Sequence, residues 1–137
     1  ERCSYTRLHG ILLCNIAGIY HLQKDTNGLI YSQECYNLGH QIQDPYLSYI
    51  GAVRSASMLN MKKDFQSALK YTKEAEFLMQ QNDFNDFAEI YALYGRILSN
   101  LDEKKESVEC RNFPSVGSES TIILVLLAFL LQKATAC

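Results

Sequence analysis

The chain has 137 residues, 47% of them hydrophobic, and a net charge of −2. That supplies one small domain with a packed core, and a charged fraction of 20% argues against a disordered chain. Without a basic excess there is no footprint for a nucleic-acid backbone, so that class of partner is set aside.

The chain opens on Glu1 rather than Met and reads as a piece of a longer protein. A first helix is predicted over residues 6–22, where Leu13, Ile16, Ala17 and Tyr20 recur at helical spacing on one face. After a polar turn at Lys24, Asp25 and Thr26, a second helix is predicted over residues 27–41. Asp44 and Pro45 open the third, which runs to Met61. Asp can cap the unpaired N–H groups there, and Pro at the first helical position gives up a donor that has no partner anyway.

Asp64 opens a fourth helix with an inward face of Phe65, Ala68, Leu69, Thr72, Ala75 and Leu78. Asp86 opens a fifth, with Glu89 placed to complete a capping box, and its stripe is Phe87, Ile90, Tyr91, Tyr94, Leu98 and Leu101. The short gaps predict antiparallel neighbours, and no strand-like alternation appears. Past Asp102 the pattern fails: a partner helix should begin there, and residues 103–109 supply two turns of it before Pro114 and Gly117 break the pattern.

Residues 121–131 form an uninterrupted apolar run of 11, bounded by Glu119 and Lys133. A bilayer span needs roughly 20 residues. Three readings stay open: the start of a membrane helix, a capping helix docked on the stack, or a tail unrelated to it. The expected organisation is a helical domain over 1–108, a linker over 109–120 and a hydrophobic tail over 121–137. The compartment follows the tail: cytoplasmic for a capping helix, membrane-associated for a span.

The five cysteines are widely spaced and form no CxxC or zinc-like pattern. Cys14 and Cys35 read as small buried hydrophobes, which mildly favours a reducing compartment.

The chain also repeats itself. Gly28 falls on Ala68, Tyr31 on Tyr71, Glu34 on Glu74, Cys35 on Ala75 and Leu38 on Leu78, each at an offset of 40. Ala17, Ala56 and Gly95 take a small position in successive first helices, followed three residues later by Tyr20, Leu59 and Leu98. Gly28, Ala68 and Ser107 take the small position of the second helices. Small residues in such a register let helix axes approach to about 8–10 Å.

Over residues 8–108 this pattern resembles the tetratricopeptide repeat. The resemblance implies an all-α fold, an antiparallel helix-pair solenoid with two complete units and part of a third. The period of 39–40 exceeds the usual ~34, and the third unit lacks a clear second helix. The longer unit is similar to repeat regions of bacterial sensors and transcriptional regulators.

The resemblance also implies a binding scaffold for a protein or peptide, in which the first helices line a groove. In that register the groove is lined by Ile11, Cys14, Gly18, His21 and Leu22, then Ile50, Val53, Ser57, Asn60 and Met61, then Glu89, Ala92, Arg96, Ser99 and Asn100. The site residues singled out are His21, Ser57, Asn60, Met61, Glu89, Arg96, Ser99 and Asn100. Arg96 offers a planar donor fork to a carboxylate, and Asn60 a donor and an acceptor to a peptide backbone. Lys and Asn at set groove positions grip a C-terminal carboxylate in some members; here Cys14 and Gly18 take two of those positions, so that activity is not implied.

His9 and Cys14 lie five residues apart, about 140° around a helix, too far round to act as a nucleophile pair. HExxH, P-loop and GxGxxG are absent from the sequence. No enzyme activity, cofactor or metal is expected. The alternative function is self-association through an apolar end left by the incomplete third unit, giving a homo-oligomer.

Overall fold

The computed structural model describes residues 2–109, with side chains from Tyr5 to Asp102. Five helices form: α1 (Arg2–Leu22), α2 (Leu29–Gln41), α3 (Pro45–Met61), α4 (Phe65–Gln81) and α5 (Phe87–Glu109). A single 3-10 turn over Thr26–Gly28 precedes α2. Among the described residues there is no strand.

One connection is used four times. Lys24, Gln43, Lys63 and Asp83 each stand in the left-handed region, with φ of 55°, 57°, 66° and 54°. The next residue's N–H then reaches back five residues: Asp25 to the Tyr20 carbonyl at 2.9 Å, Asp44 to Gly39 at 2.8 Å, Asp64 to Leu59 at 2.9 Å and Phe84 to Met79 at 3.0 Å. This closure satisfies carbonyls that a helix end leaves without partners. The chain then turns directly into the next element, because three of the four following residues are caps. Asp25 accepts from Asn27 N–H, Asp44 from Tyr46 and Leu47, and Asp64 from Ser67. The tight turn makes consecutive helices antiparallel.

The α2–α3 pairing runs tightest. Gly39 lies against the Ser48 backbone, Tyr36 against Gly51, and Ser55 Oγ donates to Ser32 Oγ at 3.0 Å. These pairs progress in opposite directions along the two helices. α3 also touches α1, α4 and α5, while α5 packs on α4. The helices thus form two layers, α1, α3 and α5 in one, α2 and α4 in the other, with Tyr36 edge-on to Tyr71 across the second. α3 is the central element, and Leu47, Tyr49, Ala52, Ala56 and Met58 are almost wholly buried. Most small positions read from the repeat are closed over, Ala17, Ala56, Ala68, Cys35 and Ala75 being at 0% exposure, but Gly95 on α5 is only half-buried and lines a surface concavity.

Several expectations are corrected. α5 does not end at Asp102; it continues without a turn to Glu109, so residues 103–109 extend it instead of starting a partner helix. The continuous helix follows from Leu98 and Leu101 staying in register with Tyr94, with no Gly or Pro to stop it. Helix α2 starts at Leu29, two residues late, because Asp25 holds the Asn27 N–H in a 3-10 turn. The capping box at α5 does not form: Glu89 turns outward to Arg96 Nη2, 3.9 Å away. Ile16 is 37% exposed and leaves the inward face to Leu13 and Ala17.

Cys14 and Cys35 are buried, as expected, and they are also joined as a disulfide between α1 and α2, with Cα atoms 5.9 Å apart. Their 21-residue separation gives no motif; the antiparallel register of the two helices brings them together. No described helix is long and apolar enough to cross a membrane. The linker at 109–120 and the membrane or capping reading of 121–131 fall outside the described residues, apart from Glu109 at the end of α5.

Candidate functional site

Two concavities lie along the α1/α3/α5 layer. The first has a volume of about 320 Å³ and is walled by His21 of α1, by Tyr49, Ile50, Val53, Arg54 and Ser57 of α3, and by Asp86 and Glu89 at the start of α5. The second, about 720 Å³ and more open, lies between α3 and α5 and is lined by Asn60, Tyr91, Ala92, Gly95, Arg96, Ser99 and Asn100. The Glu89–Arg96 pair joins them, one partner on each.

The residues singled out from sequence therefore divide. His21, Ser57 and Glu89 face the first concavity, and Asn60, Arg96, Ser99 and Asn100 the second. Met61, half-buried at the end of α3, lines neither. Of the wider groove set, Cys14 is withdrawn into the core disulfide and Leu22 projects outward at 84% exposure.

Asn60 and Asn100 bond to each other, Asn100 Nδ2 donating to Asn60 Oδ1 at 2.9 Å. This leaves the Asn60 amide protons and the Asn100 carbonyl oxygen for a ligand, a donor and an acceptor on adjacent helices. Arg96, four residues before Asn100 on α5, pairs with Glu89 instead.

Electrostatics in the first concavity centre on Arg54. It is the one charged residue in α3. Its guanidinium lies over Gly18 of α1, with Nη1 3.0 Å from where a Cβ on Gly18 would stand. Among the described residues no carboxylate comes within 4.0 Å of it, and its buried Nε has no hydrogen-bond partner. His21 Nδ1 is likewise buried and unpartnered. Burial lowers the His21 pKa below its ordinary value, and the charges of Arg54 and Arg96 lower it further against an opposing pull from Glu89. The imidazole is therefore neutral near pH 7. Burial, then the Asp86 carboxylate, pushes the Tyr49 phenol up.

Arg54, Tyr49 and Asp86 were missed from sequence. The signal for Arg54 was present: a lone charge on the α3 face that carries Ile50 and Ser57, one turn from each. Tyr49 and Asp86 could not be found this way, because each meets the cavity only through the packing of α3 on the start of α5.

A third concavity, about 360 Å³, lies in the other layer against Tyr36, Tyr71 and Glu74. Burial, then Glu74, pushes the Tyr36 phenol up to about 12. His9 is exposed and Cys14 is disulfide-bonded, so these two side chains form no nucleophile–base pair. Among the described residues no three His, Cys, Asp or Glu side chains gather as a metal set. The chain matches no protein-family model, no curated protein and no solved structure.

Proposed function

We propose that the chain is a protein- or peptide-binding scaffold, a helix-pair solenoid of the tetratricopeptide kind whose α1/α3/α5 face receives the partner. The observation that supports this reading is the run of two joined concavities along that one face, carrying polar groups from three helices. An extended or helical peptide would lie across α3, with its backbone on the Asn60–Asn100 pair and an acidic group on Arg96. In a larger regulator, a ligand that prefers one curvature of the stack would pass that preference to an attached output domain.

The test is a selection of binders from a random peptide library on the full chain, followed by calorimetric titration. Arg96→Ala and Asn60→Ala should each weaken the selected peptides about tenfold, the loss expected for one buried or charge-assisted hydrogen bond. Binding that ignores both substitutions would remove the groove from the account.

One observation favours a second reading, self-association. An exposed apolar stripe runs along α1: Tyr5, Leu8, Leu12, Ile19 and Leu22 are all more than half exposed. Their positions follow the alternating three- and four-residue steps of a helix–helix seam, with Asn15 filling the remaining place. A second copy pairing antiparallel about the middle of α1 would set Tyr5 opposite Leu22 and Leu8 opposite Ile19, an isologous contact.

A further inference from the structure

The first concavity holds two charges of opposite sign that are not committed to each other. Arg54 presents its guanidinium from the α1 side, over Gly18. Asp86 presents its carboxylate from the start of α5, beside the Tyr49 phenol. Among the described residues neither has an oppositely charged partner within 4.0 Å, although both line one cavity of about 320 Å³. Glu89, the other acid on the wall, is already paired with Arg96 at 3.9 Å. The same wall carries the apolar side chains of Ile50 and Val53 of α3.

We infer that this cavity binds a small zwitterion, an α-amino acid or a dipeptide with both termini free and an apolar side chain. The carboxylate lies on the Arg54 fork, which meets such a group through two parallel hydrogen bonds. The ammonium lies on Asp86, and the side chain rests on Ile50 and Val53. Arg54 Nε and His21 Nδ1, buried with no hydrogen-bond partner among the described residues, gain one at the carboxylate end, which offsets the cost of their burial. The volume stands at the small end of ligand sites, about 300–1,000 Å³, which excludes a long peptide from lying wholly inside it.

The inference shares its face with the peptide-groove reading but rests on Arg54 and Asp86 instead of Arg96 and Asn60. The test is isothermal titration of the full chain with leucine and with the dipeptide Ala-Leu, beside their N-acetylated and C-amidated forms. Free ligands should bind saturably, and blocking either end should weaken binding about tenfold or more, the loss of one charge-assisted contact. The difference between leucine and Ala-Leu tells which length spans the two charges. Arg54→Gln should abolish the preference for a free carboxyl group, and Asp86→Asn the preference for a free amine. Gly18→Ala, which moves the guanidinium while leaving its charge in place, should weaken the zwitterion in a chain whose melting curve shows it folded. Blocked ligands that bind as well as free ones, or no saturable heat up to about 10 mM, would overturn the inference. If library peptides still bind in an Arg96-dependent way while the zwitterions fail, this inference falls and the groove reading stands.

Discussion

Two mid-helix glycines should respond to alanine with opposite signs. A Cβ on Gly51 would stand 2.5 Å from the Tyr36 backbone nitrogen, 2.7 Å from its Cα and 2.8 Å from its Cβ. Ordinary contact lies near 3.5–4.0 Å, so α2 and α3 would have to separate by about 1 Å at their tightest point. Alanine returns about 0.8–1 kcal/mol of helix propensity at such a site. Overpacking a close contact costs about 1–3 kcal/mol, and here backbone, not a flexible side chain, must yield. The neighbouring Ser32–Ser55 hydrogen bond and the Gly39–Ser48 contact lie on the same seam and would loosen with it. The net expectation for Gly51→Ala is about 1–2 kcal/mol of destabilisation, a fall of several degrees in Tm. Gly18→Ala gains the same propensity, but its Cβ meets only the end of the Arg54 side chain, at 3.0 Å from Nη1. That side chain can swing away, so Gly18→Ala should be neutral or stabilising by up to about 1 kcal/mol. Urea denaturation followed by far-UV circular dichroism reads both. A Gly51→Ala chain as stable as Gly18→Ala would refute the reasoning, because propensity would then outweigh the α2–α3 approach.

Reducing the Cys14–Cys35 disulfide, which closes a 21-residue separation, should cost up to about 3 kcal/mol through the freedom returned to the unfolded chain. Urea midpoints with and without reductant, beside a Cys14→Ala chain, check this; a wild-type midpoint indifferent to reductant would remove the bridge from the stability account. The His21 pKa is lowered from 6.5 in the folded chain, so its stability term is complete above pH 6.5. As pH falls through 6.5 the unfolded chain takes up a proton that the native chain refuses, and stability declines until the folded pKa is passed. Arg54→Gln should raise the His21 pKa and narrow that window, read from its imidazole NMR shifts; a His21 that titrates above 6.5 in the wild type would contradict the assigned burial. Leu12→Lys, in the middle of the exposed α1 stripe, should abolish any self-association seen by light scattering while leaving the fold intact. Association that persists in this variant would exclude the α1 seam as its route.

Much of the helical layout could be read from the sequence because each boundary has a local cause. Asp44–Pro45 and Asp64 stop one helix and cap the next through atoms within three residues, and the structure keeps both in place. Burial at Ala17, Ala56, Ala68 and Ala75 was equally legible, since a small residue in that register lets a neighbouring helix close over it; Gly95, in the same register on α5, instead stays half-buried at the wall of the second concavity. The misses have non-local causes. Glu89 fits a capping box by spacing, but Arg96 on the next turns competes for its carboxylate. The four left-handed turn residues carry no glycine to announce them; Lys24, Gln43, Lys63 and Asp83 are held there by the backbone closures around them.

The candidate site shows the same division more sharply. Asn60, Arg96, Ser99 and Asn100 could be placed on one wall because a fixed register carries a groove position from helix to helix, and a 40-residue offset sets Asn60 beside Asn100. What a register cannot carry is the chemistry made between helices of different phase. Arg54 lies over Gly18 only because α1 crosses α3 where Gly18 leaves room, and Asp86 reaches Tyr49 only because α5 begins beside the first turns of α3. The 40-residue offset sets Asn60, Arg96, Ser99 and Asn100 along one concavity, the face proposed to receive a partner. Arg54 and Asp86, which line one small cavity and have no oppositely charged partner within 4.0 Å among the described residues, are what would select a ligand on that face. That is why Arg54→Gln and Asp86→Asn should alter which end groups are accepted, while Arg96→Ala and Asn60→Ala should alter how tightly a longer partner is held.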